Sequence, residues 1–210
     1  MATVREQQKA RTRTALVSAA QELIASGRTA ASIQEITELA GIGFGSFYNH
    51  FSTKDELLAA AVADALDRQG EARDRAVAGL TDPAEILAVS FRRLGRLQRA
   101  QPRLVRVLLK SGASIMSSDL GLLAMARADI ERGVESGRFH VADSETAVML
   151  VAGSLLGLLQ LLDSRPALDD GRASDDAAEL VLRMLGVPMS EARELGHAAL
   201  DLDAAHPTGA

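Results

Sequence analysis

Residues 41–51 read Gly-Ile-Gly-Phe-Gly-Ser-Phe-Tyr-Asn-His-Phe, and this window constrains the fold more than any other stretch. The chain of 210 residues holds six aromatic side chains, and four of them, Phe44, Phe47, Tyr48 and Phe51, fall inside it. On a helix Phe47 and Phe51 lie four apart and share a face, while Ser46 and Asn49 point elsewhere. The spacing therefore predicts a short helix with an apolar back. Ile42 and Phe47 pack inward, and Phe44, Gly45, Ser46, Tyr48 and Asn49 stay outside. A small, polar and partly aromatic surface of this kind suits an element that must meet a partner.

What precedes the window makes it specific. From Arg11 to Ala25, apolar residues recur at Leu16, Ala20, Leu23 and Ile24, a helical stripe that should stop at Gly27. Ser32-Ile-Gln-Glu35 is a capping box that opens a second helix over 33–40, with Ile33, Ile36 and Leu39 on one side. Gly41 suits a tight turn because glycine takes positive φ at little cost. After the aromatic element, Ser52 or Thr53 caps a further helix with Asp55 and Glu56 in its first turn. Helix, short helix, glycine turn, short helix is a helix-turn-helix layout.

Over residues 13–58 the chain resembles the amino-terminal domain of tetracycline-repressor-type (TetR family) regulators. The matching elements are Leu16 with Ala19-Ala20, Ser32-Ile33 with Glu35-Ile36, Ala40-Gly41-Ile42, Gly45-Ser46-Phe47-Tyr48, His50-Phe51 and Lys54-Asp55-Glu56-Leu57-Leu58. Two positions depart from the family's habit. Gly43 stands where a polar residue such as serine is common, which removes a side-chain cap. Phe44 replaces a polar or basic residue, which points to contact with thymine methyl groups rather than guanine readout.

The resemblance implies an all-α protein with two parts, a three-helix DNA-binding domain over 1–54 and a helical effector-binding and dimerisation domain over 55–210. It implies a transcriptional regulator, most simply a repressor that binds a palindromic operator as a homodimer and is released by a small molecule. The alternative is a ligand-binding protein of the same fold without operator binding. Carried over residue by residue, Gln34, Phe44, Gly45, Ser46 and Asn49 are expected at base edges. Tyr48, His50, Lys54 and Ser32 are expected at phosphates, with an arm carrying Arg11 and Arg13 adding charge.

The charge distribution agrees with binding at one end. Residues 1–54 carry six Lys or Arg against four acids, and the remainder carries 17 against 24, so a slightly basic head precedes an acidic body. Beyond residue 56 the pattern predicts helices throughout, broken at Gly79, Pro102, Gly137, Pro166 and Gly186, with loops over 111–119 and 163–173 and a tail after residue 202.

Residues 146–162 form a run of 17 without a charge. This is short of the ~20 apolar residues a membrane span needs, and it contains Gly153, Ser154, Gly157 and Gln160. An all-round apolar helix predicts burial on every side. In the resembled family such a helix joins its successor in a homodimer interface, here with Val151, Gly153, Ser154, Gly157, Leu158, Val181, Met184 and Leu185.

From Arg92 to Lys110 there are seven basic residues and no acid. Arg92, Arg96, Arg99 and Arg103 follow the spacing of one helical face. They are candidates for an unidentified effector of anionic character, such as a nucleotide, an acyl thioester or a carboxylate, beside the plainer reading of a solvated face.

With no cysteine, disulfides and thiolate metal sites are excluded. The four histidines are scattered without metal spacing, no cofactor signature occurs, and no catalytic motif is present, so neither a metal nor an enzyme is expected. The amino terminus lacks an apolar segment, and the cytoplasm is the expected location.

Overall fold

The computed structural model describes residues 3–111 and 121–200. The described residues form nine α-helices and one 3-10 helix, with no strand. The helices are α1 (Val4–Ala25), α2 (Ile33–Leu39), α3 (Lys54–Ala76), α4 (Pro83–Ala100), α5 (Pro102–Lys110), α6 (Leu122–Glu135), α7 (Ser144–Ser164), α8 (Asp170–Met184) and α9 (Met189–His197). The 3-10 helix, Phe44–Asn49, lies between α2 and α3. The loop expected over 111–119 falls almost wholly, and the tail after 202 wholly, outside the described residues.

The chain divides into two units. The first comprises residues up to Leu66 together with Arg103–Ser111. The second comprises Asp67–Pro102 and the residues after 111. The boundary lies inside α3, twelve residues past the 1–54 expected for the first domain. The physical reason is burial: Leu57, Ala61 and Ala65, one turn apart on α3, are fully buried in the first unit's core, as is Val107 of α5.

That core gathers Leu16, Val17, Ala20, Leu23 and Ile24 of α1, Ile36 of α2, and Phe47 and Phe51. The helices around it are closed by the residues the sequence singled out. Ser32 accepts the Glu35 amide while the Glu35 carboxylate accepts the Ser32 amide at 2.8 Å, completing the capping box. Thr53, not Ser52, accepts the Glu56 amide at 3.1 Å. Thr3 and Glu6 form a second reciprocal box, so α1 starts well before Arg11. Hydrogen bonds from both partners hold the Glu6 and Glu35 carboxyls below the usual carboxylate range.

In the second unit, α4 packs most extensively against α8, α8 against α9, and α6 against α7. Phe91, Ile130, Phe139, Val148, Leu162, Leu182 and Leu185 fill its core. Asp169 caps α8, which starts inside the loop expected over 163–173. The core is stitched by ion pairs of arginines. Arg138 donates to Asp82, the cap of α4, at 2.8 Å and to Glu191 of α9 at 2.7 Å, and its guanidinium holds the Asp82 carboxyl below its ordinary value. Arg73 of α3 and Arg132 both donate to Asp129, which is buried on α6.

Gly133 of α6 lies under the ring of Phe139. A Cβ there would sit 2.0 Å from Cδ2 of Phe139, and that ring cannot step aside because it is buried and the Phe139 amide is bonded to the Gly133 carbonyl at 2.9 Å. Gly133→Ala is therefore expected to lower stability by about 1–3 kcal/mol through overpacking. Chemical denaturation with an unchanged midpoint would show that the ring finds another place.

Candidate nucleic-acid interface and ligand cleft

Gly41 turns the chain out of α2 with φ 66°, the positive value expected of it. Gly43 then precedes the 3-10 helix without a side-chain cap. The window expected as a short helix adopts the tighter 3-10 form, with Ser46 N–H donating to the Gly43 carbonyl at 2.9 Å and His50 N–H to that of Phe47 at 2.9 Å. Phe47 is fully buried, and its ring lies 6.1 Å from Phe51 and 5.3 Å from Tyr48. Phe44 and Tyr48 face outward, 52% and 56% exposed, in an edge contact at 6.0 Å. Two exposed aromatic rings are thus carried on two buried ones.

Every residue expected at DNA is at least partly accessible. Ser32, Gln34, Phe44, Gly45, Tyr48, Asn49, Arg11 and Arg13 are exposed, and Ser46, His50 and Lys54 are half-buried. Lys54 Nζ donates to the Ala31 carbonyl at 3.2 Å, which ties the start of α3 to the chain before α2. Gln34 bonds Glu38 on the next turn at 3.0 Å.

Arg11 and Arg13 do not lie on an extended arm, because the Thr3 box has turned that segment into α1. Arg13 lies over the Phe51 ring with its guanidinium carbon 5.3 Å from the centroid, a cation–π contact. Burial, and then the charges of Lys9 and Arg13, lower the His50 pKa below its ordinary value. Lys9, one turn before Arg13, belongs to this cationic corner and was not singled out from the sequence; its i, i+4 spacing from Arg13 was the available signal.

The arginine run does not form one face. Gln101 breaks the helix with φ −140° and ψ 63°, so Arg103 lies on α5 in the first unit. Arg92 is 2% exposed. It donates to Asp175 at 2.7 Å and to the Ala198 carbonyl at 2.7 Å, joining α4, α8 and the end of α9. Arg96 shares the Asp175 carboxylate at 2.7 Å. Arg99 donates to Gln98 and to the carbonyls of Leu162, Arg165, Pro166 and Leu168 at 3.0–3.2 Å. It therefore satisfies one carbonyl in the last turn of α7 and three in the chain that follows it. The four arginines therefore do not form one shared face: Arg92 is buried in its ion pair and Arg103 lies in the other unit, while Arg96 and Arg99, each engaged with other helices, also line a cleft. The solvated-face reading fails for Arg92 as well.

A cleft of about 780 Å³ does open in the second unit. Its walls are the last turns of α3, with Arg68, Gln69, Ala72, Arg73 and Arg75, and one side of α4, with Arg93, Leu94, Arg96, Leu97, Arg99 and Ala100.

The interface residues expected on α7 and α8 separate into two sets. Gly153, Ser154, Gly157 and Met184 are exposed, and a Cβ on either glycine would meet nothing within 4 Å. Val151, Leu158, Val181 and Leu185 are instead buried in the unit's own core, so they form no part of an outer surface, a correction that follows from the side of α7 turned toward α4, α6 and α8. The accessible side also carries Met149, Leu150 and Leu161, with Leu180 on α8. By length and composition α7 is apolar enough to cross a membrane, with mean hydropathy 1.7 and a third of it buried.

An α-helical head of the helix-turn-helix layout followed by a helical second unit with its own cleft and apolar face is the architecture of ligand-binding bacterial regulators. Residues 15–61 match the family described as bacterial regulatory proteins, tetR family, and residues 82–198 match the tetracyclin repressor-like C-terminal domain. The chain belongs to the TetR family. Among solved structures, RolR in complex with its ligand resorcinol is 33% identical, covering 93% of this chain and 97% of that one, with a TM-score of 0.65. FadR from Bacillus subtilis, solved with stearoyl-CoA, is 17% identical over 80% of this chain and 97% of its own, with a TM-score of 0.68. SmeT, the repressor of the Stenotrophomonas maltophilia multidrug efflux pump SmeDEF, is 21% identical over 82% and 89%, with a TM-score of 0.66. These last two share the fold. No curated protein matches the chain.

Proposed function

We propose that this protein is a ligand-responsive transcriptional regulator that binds a palindromic operator as a homodimer in the cytoplasm and is released by a small molecule. The observation that carries the reading is the 3-10 helix: two of the chain's six aromatic rings are held in solvent at 52% and 56% exposure by two that are buried. Exposing aromatic rings beside Gly45 and Asn49 serves a surface that is covered when the protein works. Phe44, Gly45, Ser46, Asn49 and Gln34 meet base edges, with Phe44 against thymine methyls. Tyr48, His50, Lys54, Ser32, Arg11 and Arg13 meet phosphates, and Lys9 joins them.

The exposed apolar side of α7, with Leu180 and Met184 of α8, is covered by the same side of a second copy. Gly153 and Gly157 let the two backbones approach. A bilayer is a poor alternative occupant, because the opposite side of α7 is locked into the core and the free side carries Ser154 and Gln160. Two heads so joined enter successive major grooves about 34–36 Å apart. An effector acts only so far as it prefers one of two global states. The helix that transmits the preference is α3, which belongs to the first unit over its first half and to the second beyond Leu66.

The test is binding of purified protein to duplexes tiled across its upstream region at several salt concentrations. One saturable site whose affinity falls with a log–log slope of about 0.9 per phosphate contact supports the reading. Weak binding equal on every duplex in a genome-wide selection of fragments defeats it. A pH series adds a signature. His50 is neutral at pH 7 in the free protein because its pKa lies below the ordinary 6.5. A phosphate beside it raises that pKa, so binding takes up a proton and operator affinity rises as pH falls below neutrality. His50→Gln is expected to flatten this part of the profile, and an unchanged slope removes His50 from the phosphate contacts.

A further inference from the structure

The cleft on α3 and α4 contains a feature that packing does not explain. Gln69 is 7% exposed, lines the cleft, and makes no hydrogen bond to any described residue. No buried polar side-chain atom among the described residues lacks a partner, so the Gln69 carboxamide must reach the cleft itself. Its amide atoms are thus open to the cleft while the rest of the side chain is buried, which leaves both a donor and an acceptor held in place for a ligand. Six residues further along the same helix, Arg75 is exposed, lines the same cleft, and forms no ion pair with any described residue. The neighbouring guanidinium groups are engaged differently. Arg73 is held by Asp74 and Asp129, Arg96 by Asp175, and Arg99 by Leu162 and the carbonyls of the loop after α7.

The polar wall is therefore rich in donors, with Glu71 and Asp170 as its only carboxylates among the described residues. Between these groups lie Ala72, Leu94, Leu97 and Ala100, and no aromatic ring lines the cleft among the described residues. We propose that this cleft is the effector site and that it takes an aliphatic carboxylate, whose headgroup accepts hydrogen bonds from Gln69 and Arg75 and whose chain lies on Leu94 and Leu97. The proposal rests on reading the second unit as effector-responsive. A carboxylate is a pure acceptor and matches a donor-rich wall, and a flexible chain needs no stacking partner. A volume near 780 Å³ is within the range that accommodates small organic ligands. Because both readers lie on α3 beyond Leu66, the ligand acts on the helix that continues into the first unit.

The experiment is calorimetric titration of the full-length, DNA-free protein with octanoate, octanol and resorcinol. Octanoate is expected to bind one per chain, and octanol about tenfold or more weaker, because the site's donors are left without an acceptor of full charge. Gln69→Glu keeps the shape but sets a carboxylate against the ligand's, and is expected to weaken octanoate by about 100-fold. Arg75→Gln, on an exposed side chain that the fold does not use, is expected to weaken it about tenfold with no fall in Tm. The proposal is overturned by octanoate that does not bind, by octanol or resorcinol binding as tightly, or by Arg75→Gln binding octanoate like the parent protein. Since the readout contains no DNA, such a failure leaves the regulator reading standing. Octanoate binding that leaves operator affinity unchanged upholds the site and defeats release by this ligand class.

Discussion

Phe47→Ala is expected to unfold the first unit and to abolish operator binding with it. The ring is fully buried between α1, α2 and α3 and touches the rings of Tyr48 and Phe51. Truncating a phenylalanine at such a place costs about 3–5 kcal/mol, made up of lost transfer energy and the cavity left behind. Domains are stable by only about 5–15 kcal/mol in total, and small ones lie at the low end. Denaturation followed by circular dichroism should show a large fall in the midpoint. Phe44→Ala is the companion experiment. Its ring is half in solvent and meets Tyr48 edge-on, so stability should change by less than about 0.5 kcal/mol. The loss should appear as discrimination between operator and random duplex. A Phe47→Ala protein with the parent midpoint, or a Phe44→Ala protein that loses affinity equally on both duplexes, contradicts this division of labour.

Leu150→Arg is expected to separate the two copies without harming either. Leu150 is 51% exposed on the open side of α7, so the subunit tolerates the change, whereas an apposed copy would have to bury the charge unpaired. Sedimentation should return a mass near 22.2 kDa instead of twice that value. Operator affinity should fall by about 10²–10⁴-fold, because two heads no longer share an effective concentration. Gly153→Phe offers an independent check. A Cβ at Gly153 meets nothing inside the subunit, so the substitution leaves Tm alone unless a second backbone lies there. If Leu150→Arg remains a dimer, the occupant of this side is something other than its own copy.

Much of this architecture was legible in short stretches of chain. The Ser32 capping box, the turn at Gly41, the cap at Thr53, and the alternation of buried and exposed aromatic rings in residues 41–51 all appear as read. Thr3-Val-Arg-Glu6 carries the same capping signature, ahead of the apolar stripe that begins at Leu16. The arginine run illustrates the opposite case. Helical spacing put Arg92, Arg96, Arg99 and Arg103 on one face, but spacing carries no information about Asp175, which lies 83 residues from Arg92 and removes it from solvent. On α7 the composition announced a buried helix without saying which side the subunit itself would cover.

The sequence by itself therefore determined the helical class, the layout of the first unit and the outward face of the 3-10 helix. Each of these depends on interactions between residues a few positions apart, where backbone geometry dictates which side chains meet. Tertiary structure alone decided which arginines are girders, which side of α7 remains open, where the first unit ends along α3, and that Gln69 would be left facing a cleft. Those outcomes depend on pairings between helices far apart in the chain. There burial, more than spacing, sets what a side chain can do.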